Sequence, residues 1–330
     1  MSNNDIWILA EQQDDALQSI SFELLNRATA LVRDGSVNAI VLGHHFDDAE
    51  LNRLIACGAD RVVAVEDQLL QSFLLDPYVA ALNGVLDEFE PAILLAGATT
   101  LGRTLLPYIA MRRHTGLTAD CTRLELEPDS GLLLQTRPAI GGNIMATIQC
   151  PVHRPQMATI RPHSTRPAEP QPGRTGVIER RRLPAAAQAC RMRQLSYTPN
   201  REELTLQDAD KVIVVGRGIK KAENLALIFQ LAEILGAAVG ATRDVVDRGW
   251  LSYPHQVGLS GKTIMPKLYL GVGVSGAIQH LAGMQTAETI VAVNSDPEAQ
   301  IFKVADFGIV GNLFEALPLL AEELKAGKKS

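Results

Sequence analysis

Short β-rich apolar runs alternate with longer stretches of helical period along the first part of the chain. Ile6-Trp7-Ile8-Leu9 is followed by a helical pattern near Leu17 to Val32, then by Ala39-Ile40-Val41-Leu42. Arg61 to Val65 and Ala92 to Ala96 read as further strands with helices between them, the rhythm of parallel β-α-β units. From about Gly131 the texture changes. Leu132 to Gln135, Asn143 to Gln149 and Gln156 to Ile160 are strand-like with only turns between them, which predicts an antiparallel addition to the sheet.

A second shift comes at Arg161-Pro162, Arg166-Pro167, Pro170, Pro172 and Arg180-Arg181-Arg182, a stretch too polar and Pro-rich to bury a core face. After Asp208 the α/β rhythm restarts. Lys211 to Val215, Ala238 to Ala241, Leu268 to Val272, Thr289 to Val293 and Gly308 to Val310 read as strands. Between the first two, Glu223 to Leu235 reads as a helix whose apolar face is Leu225, Ile228, Phe229, Ala232 and Leu235. The expectation is an α/β protein of two domains: an N-terminal nucleotide-binding-like α/β domain over 1–162 with an antiparallel addition, a Pro/Arg-rich linker region over 163–207, and a C-terminal parallel-sheet domain over 208–330.

Composition narrows the function. The 330 residues are 46% hydrophobic, enough for one large or two medium cores, and 31 basic against 37 acidic residues give a net charge of -6 without long charge blocks. That balance argues against a nucleic-acid or anionic-membrane partner. No stretch approaches the roughly 20 apolar residues a bilayer requires, so membrane insertion is not expected. Met-Ser-Asn-Asn-Asp has neither a basic nor an apolar leader region, and the expected location is cytoplasmic. Cys57, Cys121, Cys150 and Cys190 are scattered and form no metal or dithiol spacing. His44-His45, Asp47-Asp48 and His153 likewise suggest no metal site or acid-base catalysis. Any redox chemistry must come from a bound organic cofactor.

Two nucleotide motifs fail. Gly216-Arg217-Gly218 follows a strand, but the third glycine of a dinucleotide fingerprint is replaced by Lys221, and the next strand ends in Thr242-Arg243 where an acidic residue would hold a ribose. Gly261-Lys262-Thr263 copies the end of a phosphate loop, but its opening glycine is replaced by Gln256. The run from Leu268 through Gly271-Val272-Gly273-Val274-Ser275-Gly276 into Ala277-Ile278-Gln279-His280 is more informative. A strand that passes through glycines into a helix offers backbone N–H groups to a pyrophosphate, although the same residues can form a tight β-α turn that binds nothing.

Val257-Gly258-Leu259-Ser260-Gly261-Lys262, Ser275 to Met284 and Asn294-Ser295-Asp296-Pro297-Glu298-Ala299 together resemble, in order and spacing, the FAD domain of electron-transfer flavoprotein α subunits. The likeness extends to Val215 to Gly218, Gly240 to Arg243, Gly97-Ala98-Thr99, Thr115 to Cys121 and Arg154 to Thr159. It implies one FAD held mainly by the second domain, completed by a separate β subunit on which the first domain docks. It also implies a second domain that swings to bring its flavin close to that of a partner, a flavin dehydrogenase such as an acyl-CoA dehydrogenase.

By this resemblance Arg243 lies against the isoalloxazine, where a fixed positive charge favours the reduced ring. Ser260 matches a hydroxyl that hydrogen-bonds flavin N5, within a binding segment of Gln256, Val257, Gly258 and Leu259. His280 reaches the pyrimidine end of the ring as a donor or cation. Ser275, Gly276, Ala277, Ile278 and Gln279 line the ribityl and pyrophosphate segment, Arg217 and Thr242 bind phosphate or the flavin edge, and Asn294 binds the adenosine side. Two positions depart from the family pattern. Asn312 stands in place of a common aspartate for the adenosine ribose, and Leu259 in place of a common glutamine beside the N5 hydroxyl.

The expected function is therefore an electron carrier with no catalytic residues of its own. Arg137-Pro138-Ala139, Gly141-Gly142-Asn143, Lys262-Thr263 and Pro266-Lys267-Leu268 are also similar to α subunits of NADH-oxidising, electron-bifurcating complexes, which is the alternative. A second alternative is a nucleotide-binding regulatory module, since Gly97 to Arg103 follows a strand and opens a helix.

Overall fold

The computed structural model of the chain describes residues 4–13, 16–139, 144–183, 192, 194–196, 206, 207 and 209–327. These residues form two compact units, divided between 198 and 199. Residues 141–143 of the glycine-rich motif and 184–190 of the expected linker lie outside the described residues.

In the first unit the elements run β1 (Ile6–Ala10), β2 (Gln12–Gln13), β3 (Ala16–Leu17), α1 (Ser19–Leu31), β4 (Val37–Gly43), α2 (Asp48–Ala56), β5 (Arg61–Glu66), α3 (Leu75–Phe89), β6 (Ile93–Gly97) and α4 (Thr100–Arg112). They continue as β7 (Leu117–Cys121), β8 (Arg123–Leu126), β9 (Leu133–Ala139), β10 (Ile144–Ile148), β11 (Gln156–Ile160) and β12 (Val177–Arg182). Seven of the strands make a parallel sheet in the order β12-β5-β4-β1-β6-β11-β7. Every residue of β1, β4 and β6 is buried, as expected where helices cover both faces. Along β1 the side chains alternate: Ile6, Ile8 and Ala10 pack with α1 and α2, whereas Trp7 and Leu9 pack with α3 and α4. Each fully buried Ile or Leu contributes about 1.5–3 kcal/mol.

Two expectations change. The antiparallel segment is a separate three-stranded sheet, β10-β9-β8, whereas Gln156–Ile160 is β11, a parallel strand between β6 and β7. Its five residues are all buried, while β10 is largely exposed. Residues 177–182, inside the expected linker, are β12, paired in parallel with β5 at the sheet edge. Their polarity is that of an edge strand whose charges find partners. Arg180 binds Asp48 at 2.7 Å and Glu66 at 2.6 Å, and Arg181 pairs with Glu88.

The second unit contains β13 (Lys211–Val215), α5 (Leu225–Leu235), β14 (Ala238–Ala241), α6 (Arg243–Asp247), β15 (Leu268–Val272), α7 (Ile278–Leu281), β16 (Thr289–Asn294), β17 (Phe307–Val310) and α8 (Leu313–Gly327). Its sheet is parallel with order β14-β13-β15-β16-β17. A 3-10 turn over Ala222–Asn224 delays α5, which buries Leu231 and leaves Phe229, expected on the apolar face, exposed. Helices α5 and α8 cover one face of the sheet. The other is packed by side chains from connecting segments, among them Val257, Ile264, Met284 and Ile301. Because β13 leads to β14 on one side and β15 lies on the other, the crevice above the carboxyl ends of β13 and β15 is a topological switch point, the ordinary ligand position in open α/β sheets.

Candidate functional site

At that position the second unit has a cleft of about 880 Å³, within the range of small-molecule sites. It is walled by the residues that follow four of the five strands: Gly216 after β13, Thr242 after β14, Gly273 after β15 and Asn294 at the end of β16. Of the sixteen residues expected at the site, thirteen line the cleft: Arg217, Thr242, Arg243, Gln256, Val257, Gly258, Leu259, Ser260, Ser275, Ala277, Gln279, His280 and Asn294.

The 256–262 segment is pinned at both ends. Gln256 N–H donates to the Tyr253 carbonyl at 2.9 Å, and Lys262 N–H donates to the Gln256 carbonyl at 2.7 Å. Gln256 is buried, and its Nε2 donates to Ser260 Oγ at 3.0 Å. Ser260 itself is exposed to the cleft. Behind the segment, His280 is 7% exposed. Its Nδ1 lies 3.1 Å from the Val257 carbonyl and its Nε2 2.8 Å from the Tyr269 hydroxyl. A carbonyl only accepts, so Nδ1 carries the proton and Nε2 accepts from Tyr269. Burial pushes the imidazole down to about 4 and the Tyr269 phenol up. Where a donor or cation is expected at position 280, the structure has a neutral ring with both nitrogens engaged by the protein.

The glycine turn also differs from expectation. Helix α7 is a single turn of four residues. The glycines serve close approach of backbones: a Cβ on Gly216 would come 2.2 Å from the Gly273 carbonyl oxygen, and one on Gly276, at φ +82°, would come 2.1 Å from the Ile301 nitrogen. Gly276 is therefore a buried hinge of the turn and does not line the cleft, whereas Ser275 and Ala277 on either side of it do. Asn294 holds the same turn, donating to the Val274 carbonyl at 2.8 Å and accepting from Asp296 N–H at 3.0 Å.

Ile278 is 62% exposed and stands outside the cleft lining. Asn312 is also outside it. Its amide accepts from Phe314 N–H at 3.1 Å and donates to Glu315 at 2.8 Å, so the residue begins helix α8. Sequence reasoning missed three carboxylates in the lining, Asp244, Asp247 and Asp296. Arg217 faces Asp244 at 3.4 Å and Arg243 faces Asp247 at 3.3 Å, so both cleft guanidiniums are paired. The i,i+4 spacing of Arg243 and Asp247 was the available signal.

In the first unit the corresponding switch point lies between β1 and β6. There the Glu11 carboxyl accepts from Thr99 Oγ1 at 2.8 Å and from the Gly97 backbone, while Thr99 caps α4 by accepting from Gly102 N–H at 3.1 Å. Burial pushes Glu11 up to about 7. Gly97 and Thr99 of the Gly97 to Arg103 loop thus turn donors to the chain's own carboxyl, while Ala98 N–H donates to the Ile160 carbonyl at 2.7 Å.

Residues 6–186 match the family described as Electron transfer flavoprotein domain, and residues 205–285 match the Electron transfer flavoprotein FAD-binding domain. The electron transfer flavoprotein subunit alpha of Thermoanaerobacterium thermosaccharolyticum is 45% identical over 324 residues, covering 97% of this chain and 98% of the relative. The chain belongs to the electron transfer flavoprotein α-subunit family. Its cofactor is FAD. The cleft fits that group, because its walls supply guanidinium, hydroxyl and amide donors around a turn in which added Cβ atoms would strike backbone. Two other relatives of this α-subunit family carry more specific names. The acryloyl-CoA reductase electron transfer subunit beta of Anaerotignum propionicum is 37% identical over 359 residues, covering 100% of this chain and 98% of the relative. The lactate dehydrogenase (NAD(+),ferredoxin) subunit LctC of Acetobacterium woodii is 37% identical over 317 residues, covering 96% and 75%. Among the described residues no helix is long and apolar enough to cross a membrane.

Proposed function

We propose that this chain is the FAD-holding α subunit of an αβ heterodimer that takes electrons from an acyl-CoA-linked flavin dehydrogenase and passes them to an acceptor in the cytoplasm. FAD, when bound, supplies reversible electron uptake. The chain's residues supply its setting. Arg243 and Arg217 bring positive charge to the cleft wall, Ser260 offers a hydroxyl to N5, the Ser275 to Gln279 turn holds the pyrophosphate, and Asn294 keeps that turn in place. His280, as a neutral ring, shapes the floor of the cleft and adds no charge. The observation that carries the reading is the gathering of thirteen expected residues around one cleft at the switch point of the second sheet.

The acyl-CoA link is supported by the name of the Anaerotignum propionicum relative. The name of the Acetobacterium woodii relative favours a second reading, an NAD-linked bifurcating complex. The chain coexpressed with a β-type subunit separates them. Reduction by an acyl-CoA dehydrogenase and its substrate, with no reaction with NADH, supports the carrier; two FAD per dimer and reduction by NADH support the second reading.

A further inference from the structure

Gln256 lines the cleft, yet its side chain is 4% exposed and its amide is directed at another residue of the same loop. We propose that Gln256 is a positioning residue that aims the hydroxyl of Ser260 into the cleft. This rests on the reading that Ser260 meets flavin N5. The structure turns the amide nitrogen of Gln256 to Ser260 Oγ at 3.0 Å, and because an amide nitrogen only donates, the Ser260 oxygen in this orientation is the acceptor. Serine has one hydroxyl hydrogen, and it cannot point back along a bond in which its own oxygen accepts. The rest of the residue is fixed as well: the Ser260 carbonyl accepts from the Tyr253 hydroxyl at 2.9 Å. The backbone of Gln256 is held on both sides, and it bridges to Ala241 at the end of β14. A rigid donor therefore stands behind a hydroxyl whose remaining freedom is toward the open cleft, and the hydroxyl is turned outward as a donor before any ligand arrives.

The inference separates polarity from shape. Gln256→Glu keeps the shape and, once ionised, reverses the bond: a carboxylate only accepts, so the Ser260 hydroxyl turns back to it and is withdrawn from the cleft. Gln256→Met removes the donor without adding charge. The charged and titratable groups around the position are unchanged in both variants: Arg243, Asp244 and Asp247 on the cleft wall, His255 and Lys262 in the same segment, and His280 behind it.

The test uses the full chain with its β subunit, loaded with FAD carrying nitrogen-15 at N5, whose NMR signal reports hydrogen bonding at that atom. Ser260→Ala shifts the signal in the direction of hydrogen-bond loss. Gln256→Met shifts it part of the way, and Gln256→Glu converges on the Ser260→Ala position as pH is raised from about 6 to about 9, the range over which a buried glutamate ionises. In the double variant the signal stays where Ser260→Ala puts it. If Ser260→Ala shifts the signal while both Gln256 variants retain the wild-type position, the positioning role is wrong and the N5 contact stands. If Ser260→Ala leaves the signal unmoved, the N5 contact itself is wrong, and the inference falls with it.

Discussion

Arg243 is where a formal charge and an effective charge part company. Its guanidinium lines the cleft but faces Asp247 at 3.3 Å, so part of its field is cancelled by a neighbour one helical turn away. Arg243→Ala is expected to lower the potential of bound FAD and Asp247→Asn to raise it, each on the order of 30 mV for two electrons, about 1.4 kcal/mol. Spectroelectrochemistry of the holo-dimer reads both, and a fall in potential with Asp247→Asn would contradict the account. His280 makes a different prediction. Its folded-state value, about 4, lies below the ordinary 6.5, so as pH falls the unfolded chain takes up its proton first. The associated stabilisation is present above about pH 6.5 and is lost on the way down to about pH 4, a change of about 3 kcal/mol. Denaturant melts of the second unit at the two ends of that window should show the slope, and His280→Gln should flatten it. The sequence made thirteen cleft residues legible because the resemblance fixes positions. It could not show that His280 has both nitrogens occupied, since Tyr269 and Val257 meet it only through the folded sheet.

At the scale of elements, the strands were legible wherever apolar runs were continuous, as in β1, β4, β6 and β13 to β16. β12 was hidden because its arginines and glutamate read as linker until Glu66, Asp48 and Glu88 are brought alongside. β11 was misassigned because orientation is set by its buried neighbours β6 and β7 and by no local pattern. Two element-level tests follow. Glu11 holds the β1 and β6 ends together as a mostly neutral acid up to about pH 7, well above the 4.5 of an ordinary glutamate. Its stabilisation is full below about pH 4.5 and is lost as pH rises through 7, about 3 kcal/mol in all. Glu23, buried and also pushed up to about 7, adds a slope of the same sign. Glu11→Gln should remove about half of the alkaline loss seen in melts of the first unit. In the second unit, Gly276→Ala combines a left-handed backbone with a contact at the Ile301 nitrogen. The backbone strain alone costs about 1–3 kcal/mol, so the melting temperature and FAD retention should fall together.

For the whole molecule, two parallel sheets present a switch point each, and the cleft at the second is lined by thirteen of the expected residues. At the first, Glu11 accepts from Thr99, and the first unit has its own cleft of about 910 Å³, lined by Gln12, Gln13, Tyr78 and Leu101 among others. The proposed function divides the labour: the second unit, whose residues 205–285 match an FAD-binding domain, takes FAD, and the first is proposed to be the scaffold for a partner. Ser275→Trp places a large ring at an exposed cleft position without disturbing a buried residue. The direct measurement is the FAD content, by absorbance after release, of the wild-type heterodimer and of the Ser275→Trp heterodimer. The account predicts that the variant assembles normally and loses one FAD per α subunit, whereas full retention of FAD by the assembled variant would contradict it.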